Sequence, residues 1–167
     1  MNVRRAGAAD LKAVLSVHRA AFGRDEEAEM AAAIVASGQF PPELSLAAVV
    51  DERIAGHVIS SWVGLERSER KLLQLGPIGV LPELQGQGIG SALVRASLEA
   101  TSALGEPLLL LEGNPAYYGR FGFARADELG LLAPPEALYD WAFQVAVLDE
   151  RVELPRGRVV YPPTFVH

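Results

Sequence analysis

The chain contains no cysteine. That excludes a disulfide framework, a thiolate metal site and a cysteine nucleophile. Basic residues are in the minority, with 15 Lys and Arg against 21 Asp and Glu and a formal net charge of −6. Binding to nucleic acid depends on a basic stripe that neutralises phosphates, and none is visible, so no nucleic-acid partner is expected. A local basic patch around a small anion remains compatible with this balance. Apolar runs long enough to cross a bilayer are also missing, so no membrane partner is expected. The opening "MNVRRAGAADLKAV" has no long apolar core of the signal-peptide kind. These absences together lead to the expectation of a soluble, cytoplasmic protein. There is no internal repeat and no low-complexity segment.

Half of the 167 residues are apolar, enough for one domain with its own core over 1–167. "NVRRA" is a candidate strand. Asp10 is placed to cap a helix with Leu11, Val14, Leu15 and Phe22 on one face. "EEAEMAAAIVAS" predicts a second helix, closed by Gly38. "LSLAAVVDERIAGHVISSWVGLE" predicts a hairpin turning near Asp51–Arg53, with "SERK" as a polar turn before the third apolar run "LLQLGPIGVL". A glycine loop follows, then a helix over Gly90–Leu104, then "PLLLLEG", a strand apolar on both faces. "NPAYYGRFGF" is a short helix or turn opening another strand, and "YDWAFQVAVLD" and "LPRGRVVYPPTFVH" have strand character. A strand–helix–strand unit implies a parallel pair, and the hairpin before it implies antiparallel pairing. The expected fold class is therefore α/β with a mixed, mostly antiparallel sheet.

The informative segment is "LGPIGVLPELQGQGIGSALV", with Gly76, Gly79, Gly86, Gly88 and Gly90 set in apolar sequence. Glycines at the start of a helix leave backbone N–H groups open at the positive end of its dipole, which suits a phosphate. They also permit positive φ and close approach of a ligand. A P-loop would need a lysine before the Ser/Thr, and here Ser91 follows Gly90 directly. The dinucleotide fingerprint Gly-x-Gly-x-x-Gly fails from either Gly86 or Gly88.

"QGQGIG", Gln85 to Gly90, fits Gln/Arg-x-x-Gly-x-Gly/Ala. In this segment the chain resembles the GCN5-related N-acetyltransferase (GNAT) family. "IGVLPELQGQGIGSALV" resembles that family's strand, loop and helix at the cofactor. "YYGRFGF" resembles its tyrosine-bearing helix and the Gly-Phe that opens the next strand. The better-matched region is about 70–125. "NPAYYGRFGF" and "VVYPP" look most like a subgroup of predicted bacterial N-acetyltransferases.

The resemblance implies a GNAT-like acyl-CoA N-acyltransferase fold whose parallel strands splay at the cofactor site. It implies acetyl-CoA as co-substrate, no metal, and transfer to a primary amine by direct attack on the thioester. Gln85, Gly86, Gln87, Gly88, Ile89, Gly90 and Ser91 would cradle the pyrophosphate. Ile78, Gly79 and Val80 would pair with the pantetheine arm, one N–H facing the thioester oxygen, and Pro77 would mark a disruption of that strand. Tyr118 takes the position of the general acid, a role a phenol suits because it is neutral near pH 7 and can donate. Glu112, ending an apolar strand, is the candidate general base, since burial there would raise its pKa. Glu66, Glu69, Glu26 and His57 are further candidates, and His18 belongs to the apolar face of the first helix. Asn114 either touches the cofactor or caps the short helix.

The acceptor would be a small-molecule or peptide amine, and the protein a monomer or homodimer. Two readings from other classes compete. One is a non-catalytic acyl-CoA-binding sensor or partner module, with the same loop and no working acid and base. The other is a nucleotide-binding domain, which the missing lysine and ribose-binding acid disfavour.

Overall fold

The computed structural model describes residues 1–165. In chain order its main elements are β1 (Asn2–Arg5), α1 (Leu11–Phe22), α2 (Glu26–Ser37), β2 (Ser45–Val50), β3 (Arg53–Leu65), β4 (Ser68–Val80) and α3 (Ile89–Ala103). They continue with β5 (Leu108–Glu112), α4 (Pro115–Tyr118), β6 (Ala124–Arg125), β7 (Leu131–Leu132), β8 (Phe143–Val147) and β9 (Gly157–Val160). The chain forms two compact units. Of the described residues, one comprises Met1–Ser61 and Leu75–Ala100, the other Trp62–Gln74 and 101–165. The long strands β3 and β4 contribute to both.

In the first unit, β1 pairs antiparallel with β2, and β2 with β3. The β2–β3 turn falls at Asp51 and Glu52, both at positive φ (48° and 65°), the conformation that a two-residue hairpin turn requires. Helices α1 and α2 each stop at a left-handed glycine, Gly23 and Gly38, as the sequence implies for Gly38. The buried stripe of α1 is Val14, Val17 and His18. It is rotated from the expected face, and Phe22 is left 41% exposed. Asp10 does not cap α1 with its side chain. Its carboxylate instead accepts from the Gly7 N–H at 2.7 Å and pairs with Arg4 at 2.8 Å. That early start of the turn takes the carboxylate away from the helix end.

Two histidines lie inside this unit, His18 fully buried and His57 1% exposed. His18 Nε2 and His57 Nδ1 are 2.9 Å apart, and His57 Nε2 is 3.0 Å from Ser45 Oγ. A chain of neutral rings satisfies these contacts with one proton per ring, whereas two imidazolium ions would face each other without water. Burial therefore lowers the pKa of His18 to about 4, with the Glu27 charge opposing. Burial, then the proximity of His18, lowers that of His57 to about 3, with Asp10 opposing. Between about pH 6.5 and these values the unfolded chain binds more protons than the folded one, so stability is full above about 6.5 and falls with acidification. By pH 5 each histidine costs about 2 kcal/mol, and Glu112, whose pKa is raised, acts in the opposite direction. Thermal melts should show the midpoint dropping by several degrees from pH 7 to pH 5. A flat profile would mean that the pair is not held neutral in the fold.

In the second unit, β5 pairs in parallel with β4 at Gln74 and Leu110, and antiparallel with β8 from Leu108–Val147 to Glu112–Phe143. β6 continues on β8, and β9 pairs with the end of β3 at Leu65–Val159 and Gly64–Val160. β7 pairs in parallel with β9. Leu108, Leu109, Leu110 and Leu111 are all 1% exposed or less, so both faces of β5 are covered, as its unbroken apolar run implies. Each such side chain contributes about 2 kcal/mol through burial. The "SERK" segment is not a turn. The turn lies just before it, with Arg67 at φ 60°, and Ser68 already begins β4. Among the described residues no helix is long and apolar enough to cross a membrane.

Candidate functional site

The glycine loop belongs to the first unit. Pro77 does not end β4: the strand runs on to Val80 through a cis Gly76–Pro77 peptide. At residue 77 there is no N–H to donate to a ladder. After β4 the chain turns through Pro82–Leu84. The Leu81 N–H bonds the Ala55 carbonyl at 2.8 Å, and the Gln85 side chain donates back to the Val80 carbonyl at 3.1 Å. These two bonds tie both ends of the turn to the strands. Gly86 and Gly88 adopt left-handed φ values of 76° and 87°. A Cβ at either would meet nothing within 4 Å, so open space and positive φ, not crowding, are what the glycines serve.

Helix α3 starts at Ile89, one residue earlier than the sequence predicts, and Gly90 lies in its first turn. A bond from the Ala92 N–H to the Gly88 carbonyl, 3.0 Å long, closes that turn. The N–H groups of Gly88, Ile89 and Gly90 precede it and have no helical carbonyl one turn back. They sit at the positive end of a 15-residue helix dipole. The side chain of Ile89 does not belong to the loop surface. It is 4% exposed and packs where a Cβ on Gly56 would stand 3.0 Å away, so only its backbone can serve a ligand. Gln87 is exposed at the tip.

The β4 segment Ile78–Val80 leads directly into this loop. Gly79 is where α1 comes nearest: a Cβ there would lie 3.0 Å from His18 Nδ1 and 3.2 Å from Ala21. The buried histidine thus backs the strand. His57 is not a free base, because both its ring nitrogens are engaged.

The second unit brings together Glu112, Asn114 and Tyr118. Glu112 ends β5, and Asn114 caps α4, its Oδ1 accepting from the Ala116 N–H at 2.9 Å. Pro115 at the first helical position favours that start. The Tyr118 ring folds back over Gly113 so closely that a Cβ there would collide with the ring carbons Cε2 and Cδ2. Glycine is needed at 113 for that contact. The ring also meets Phe123 edge-on at 6.0 Å and Tyr117 at 4.9 Å. Burial, helped by Tyr117, raises the phenol pKa to about 12, which keeps its proton in place across the neutral range. Glu112 retains contact with solvent, yet enough protein surrounds its carboxyl for burial to raise the pKa. A hydrogen bond from Tyr161 opposes the shift and the Glu136 charge adds to it.

Two residues here escaped the sequence. Tyr161 receives a 2.7 Å hydrogen bond from Gln74 Nε2 and bonds Glu112, and burial drives its pKa upward. Gln144, 1% exposed, donates to the carbonyls of Gly113 (3.0 Å) and Ala142 (3.1 Å). The one available signal was a lone glutamine in each of the apolar strands β4 and β8. Beside Glu112 lies a cavity of about 500 Å³ lined by Glu112, Gly113, Asn114, Leu138, Tyr139, Trp141 and Ala142. Among the described residues no group of three His, Cys, Asp or Glu is placed to hold a metal ion.

Comparison with known proteins gives a consistent result. The family described as "Acetyltransferase (GNAT) domain" matches residues 2–126. The uncharacterized N-acetyltransferase YjhQ of Escherichia coli K12 is 30% identical over 128 residues, 75% of this chain and 71% of the relative. The crystal structure of E. coli YhbS, a GNAT family N-acetyltransferase in complex with CoA, superposes with a TM-score of 0.90. It is 27% identical, and the match covers 99% of this chain and 92% of that one. A GNAT family acetyltransferase from Brucella melitensis in complex with acetyl-CoA has a TM-score of 0.81 at 30% identity, covering 98% and 97%.

Proposed function

Because the chain belongs to the GNAT acetyltransferase family, we propose that it moves an acetyl group from acetyl-CoA to a primary amine of a small-molecule or peptide acceptor, by direct attack on the thioester. The observation that carries this reading is the loop Gln85–Ser91, with Gly86 and Gly88 left-handed at the head of α3. Backbone N–H groups without a helical carbonyl partner, at a helix N-terminus, fit a pyrophosphate. The coenzyme A and acetyl-CoA complexes of the E. coli and Brucella proteins support it.

Acetyl-CoA supplies an activated carbonyl with a thiolate leaving group. The chain's own residues do the rest. The backbone from Gly86 to Ser91 holds the pyrophosphate, with Gln85 fixing the loop to Val80. The backbone of Ile78, Gly79 and Val80 holds the pantetheine arm as an added strand and offers an N–H to the carbonyl oxygen. Asn114 caps α4 with its oxygen and keeps its amide N–H groups available to the cofactor. Glu112, with its pKa raised by burial, accepts a proton from the incoming ammonium. As the C–N bond forms and the C–S bond breaks, Tyr118 gives its proton to the departing sulfur. The nitrogen sheds its second proton to solvent as the amide forms, and the proton on Glu112 returns through solvent to restore the phenol, so that one proton is released per transfer.

A thermal melt tests the donor site. At about a hundred times its Kd, a ligand adds about 2.7 kcal/mol, so the midpoint should rise by about 5–10 °C. The rise is expected with acetyl-CoA and coenzyme A and not with ATP or NADH. No rise with acetyl-CoA would leave the loop a structural turn and end the proposal.

A further inference from the structure

The cavity beside Glu112 is built from two short segments, the strand end 112–114 and the loop 138–142. They are fixed to each other before any ligand arrives. The Gly113 N–H bonds the Ala142 carbonyl at 3.0 Å, and buried Gln144 bridges the carbonyls of Gly113 and Ala142 from below. Its volume, about 500 Å³, lies in the range of sites for small organic molecules.

The two sides differ in chemistry. One carries the Glu112 carboxylate, held in orientation by Tyr161 and reached by the field of Glu136. The other is apolar and aromatic. Tyr139 and Trp141 stack with ring centroids 5.0 Å apart and an interplanar angle of 21°. They are 56% and 50% exposed, and neighbouring Leu138 is 86% exposed. Large apolar side chains left in water around a cavity mark a surface that a ligand covers. Aromatic faces next to a carboxylate favour a cation that carries an apolar group.

We infer that this cavity is the acceptor site, and that the acceptor is a primary ammonium on a short arm ending in an aromatic or similarly flat apolar group. Glu112 meets the ammonium, and the Tyr139–Trp141 stack covers the apolar end. Gly113, which lines the cavity, is also the residue against which the Tyr118 ring rests, so the ring of the proposed acid packs on the chain neighbour of Glu112. The inference rests on the acetyl-transfer reading for its chemistry, but the cavity's preference for such a cation stands on its own geometry. Two sources share that chemistry: a free arylalkylamine, and a peptide whose N-terminal residue is aromatic.

The test joins a binding measurement to a rate measurement on the full chain. Calorimetry measures 2-phenylethylamine and ethylamine binding, with and without coenzyme A. Thiol release from acetyl-CoA then gives kcat/KM for those two amines and for a phenylalanyl-glycinamide peptide. The aromatic amine is expected to exceed ethylamine by about tenfold or more in affinity and in kcat/KM, since one decade needs only about 1.4 kcal/mol of ring contact. W141A should reduce that ratio toward one, and E112Q should weaken binding of both amines. Because the Trp141 side chain reaches solvent, a melt of W141A verifies the fold independently. A higher rate with the peptide than with the free amine would identify the peptide source, and the reverse the small molecule. Equal binding of the two amines, an unchanged ratio in W141A, or competitive displacement of the amine by coenzyme A would overturn the assignment. Failure of the acetyl-transfer reading looks different: aromatic-amine binding persists, while acetyl-CoA causes no melting shift and no thiol is released.

Discussion

Replacing Gly88 with valine is expected to remove the melting shift with acetyl-CoA while leaving the ligand-free melt within a few degrees of the parent. The reason is conformational. Gly88 sits at φ 87°, where a β-branched residue is a steric outlier costing about 1–3 kcal/mol. The loop relieves that cost most readily by rotating its own peptides, since nothing within 4 Å holds the site from outside. Rotation redirects the N–H groups of Gly88 and Ile89 at the helix start. A site that binds an anion through backbone alone has no side chain to compensate, so affinity should fall by about a hundredfold or more, equivalent to losing two or three charge-assisted hydrogen bonds. The core contacts of Ile89 and Leu93 beside Gly56 remain, which is why the fold should survive. The check is a titration of acetyl-CoA against Gly88→Val by calorimetry. Parent-like affinity would show that the pyrophosphate is held elsewhere.

The second large effect is expected at Tyr118. Tyr118→Phe keeps the ring against Gly113 and Phe123 and deletes only the hydroxyl. Loss of a general acid typically lowers the rate by about 10²–10⁴-fold. The loss should appear in kcat with acetyl-CoA binding retained, because the proton is needed when the C–S bond breaks. The raised phenol pKa matters here: at about 12 the group is protonated at every pH suited to the enzyme. Tyr118 titration should therefore put no limb in the neutral range of the pH–rate profile. Single-turnover thiol release with Tyr118→Phe measures the effect directly. A rate within a factor of about three of the parent would transfer protonation of the sulfur to water or another group, since general-acid contributions are much larger than that.

The first helix pair, the hairpin, the parallel strand–helix–strand unit and the glycine loop could all be read from the chain, because each is written in local terms. Gly86 and Gly88 are recognisable because positive φ is a property of single residues. Four consecutive leucines identify β5 because covering both faces leaves no polar position before its last residue, Glu112. The packing of Tyr118 against Gly113 explains the Gly between Glu112 and Asn114. Other local signals are overridden by partners elsewhere in the sequence. Val14 and His18 of the expected α1 face are buried, His18 through a bond to a residue 39 positions away, but Val17 joins them while Phe22 is left exposed. Asp10 stands at the N-cap position of α1 as its residue type implies, but the sequence does not show the competing partner, Arg4, that draws its carboxylate from the helix end.

What the sequence by itself determined is the local chemistry of the backbone: roughly where helices lie, which strand is buried on both faces, and which loop sets left-handed glycines at a helix start. These follow from steric limits on φ and from the spacing of apolar residues, both confined to a few neighbouring positions. What only the tertiary structure decided is which side chains meet. Gln74 and Tyr161 lie 87 residues apart and share a 2.7 Å hydrogen bond, and through Tyr161 that contact reaches Glu112. Gln144 joins the two walls of the cavity across 31 residues. The Tyr139–Trp141 stack faces a carboxylate only because β5 and β8 pair in the register that sets Glu112 opposite Phe143. Burial, and with it the shifted pKa values of Glu112, Tyr118 and the histidine pair, depends on everything packed around a group, which no short stretch of sequence contains.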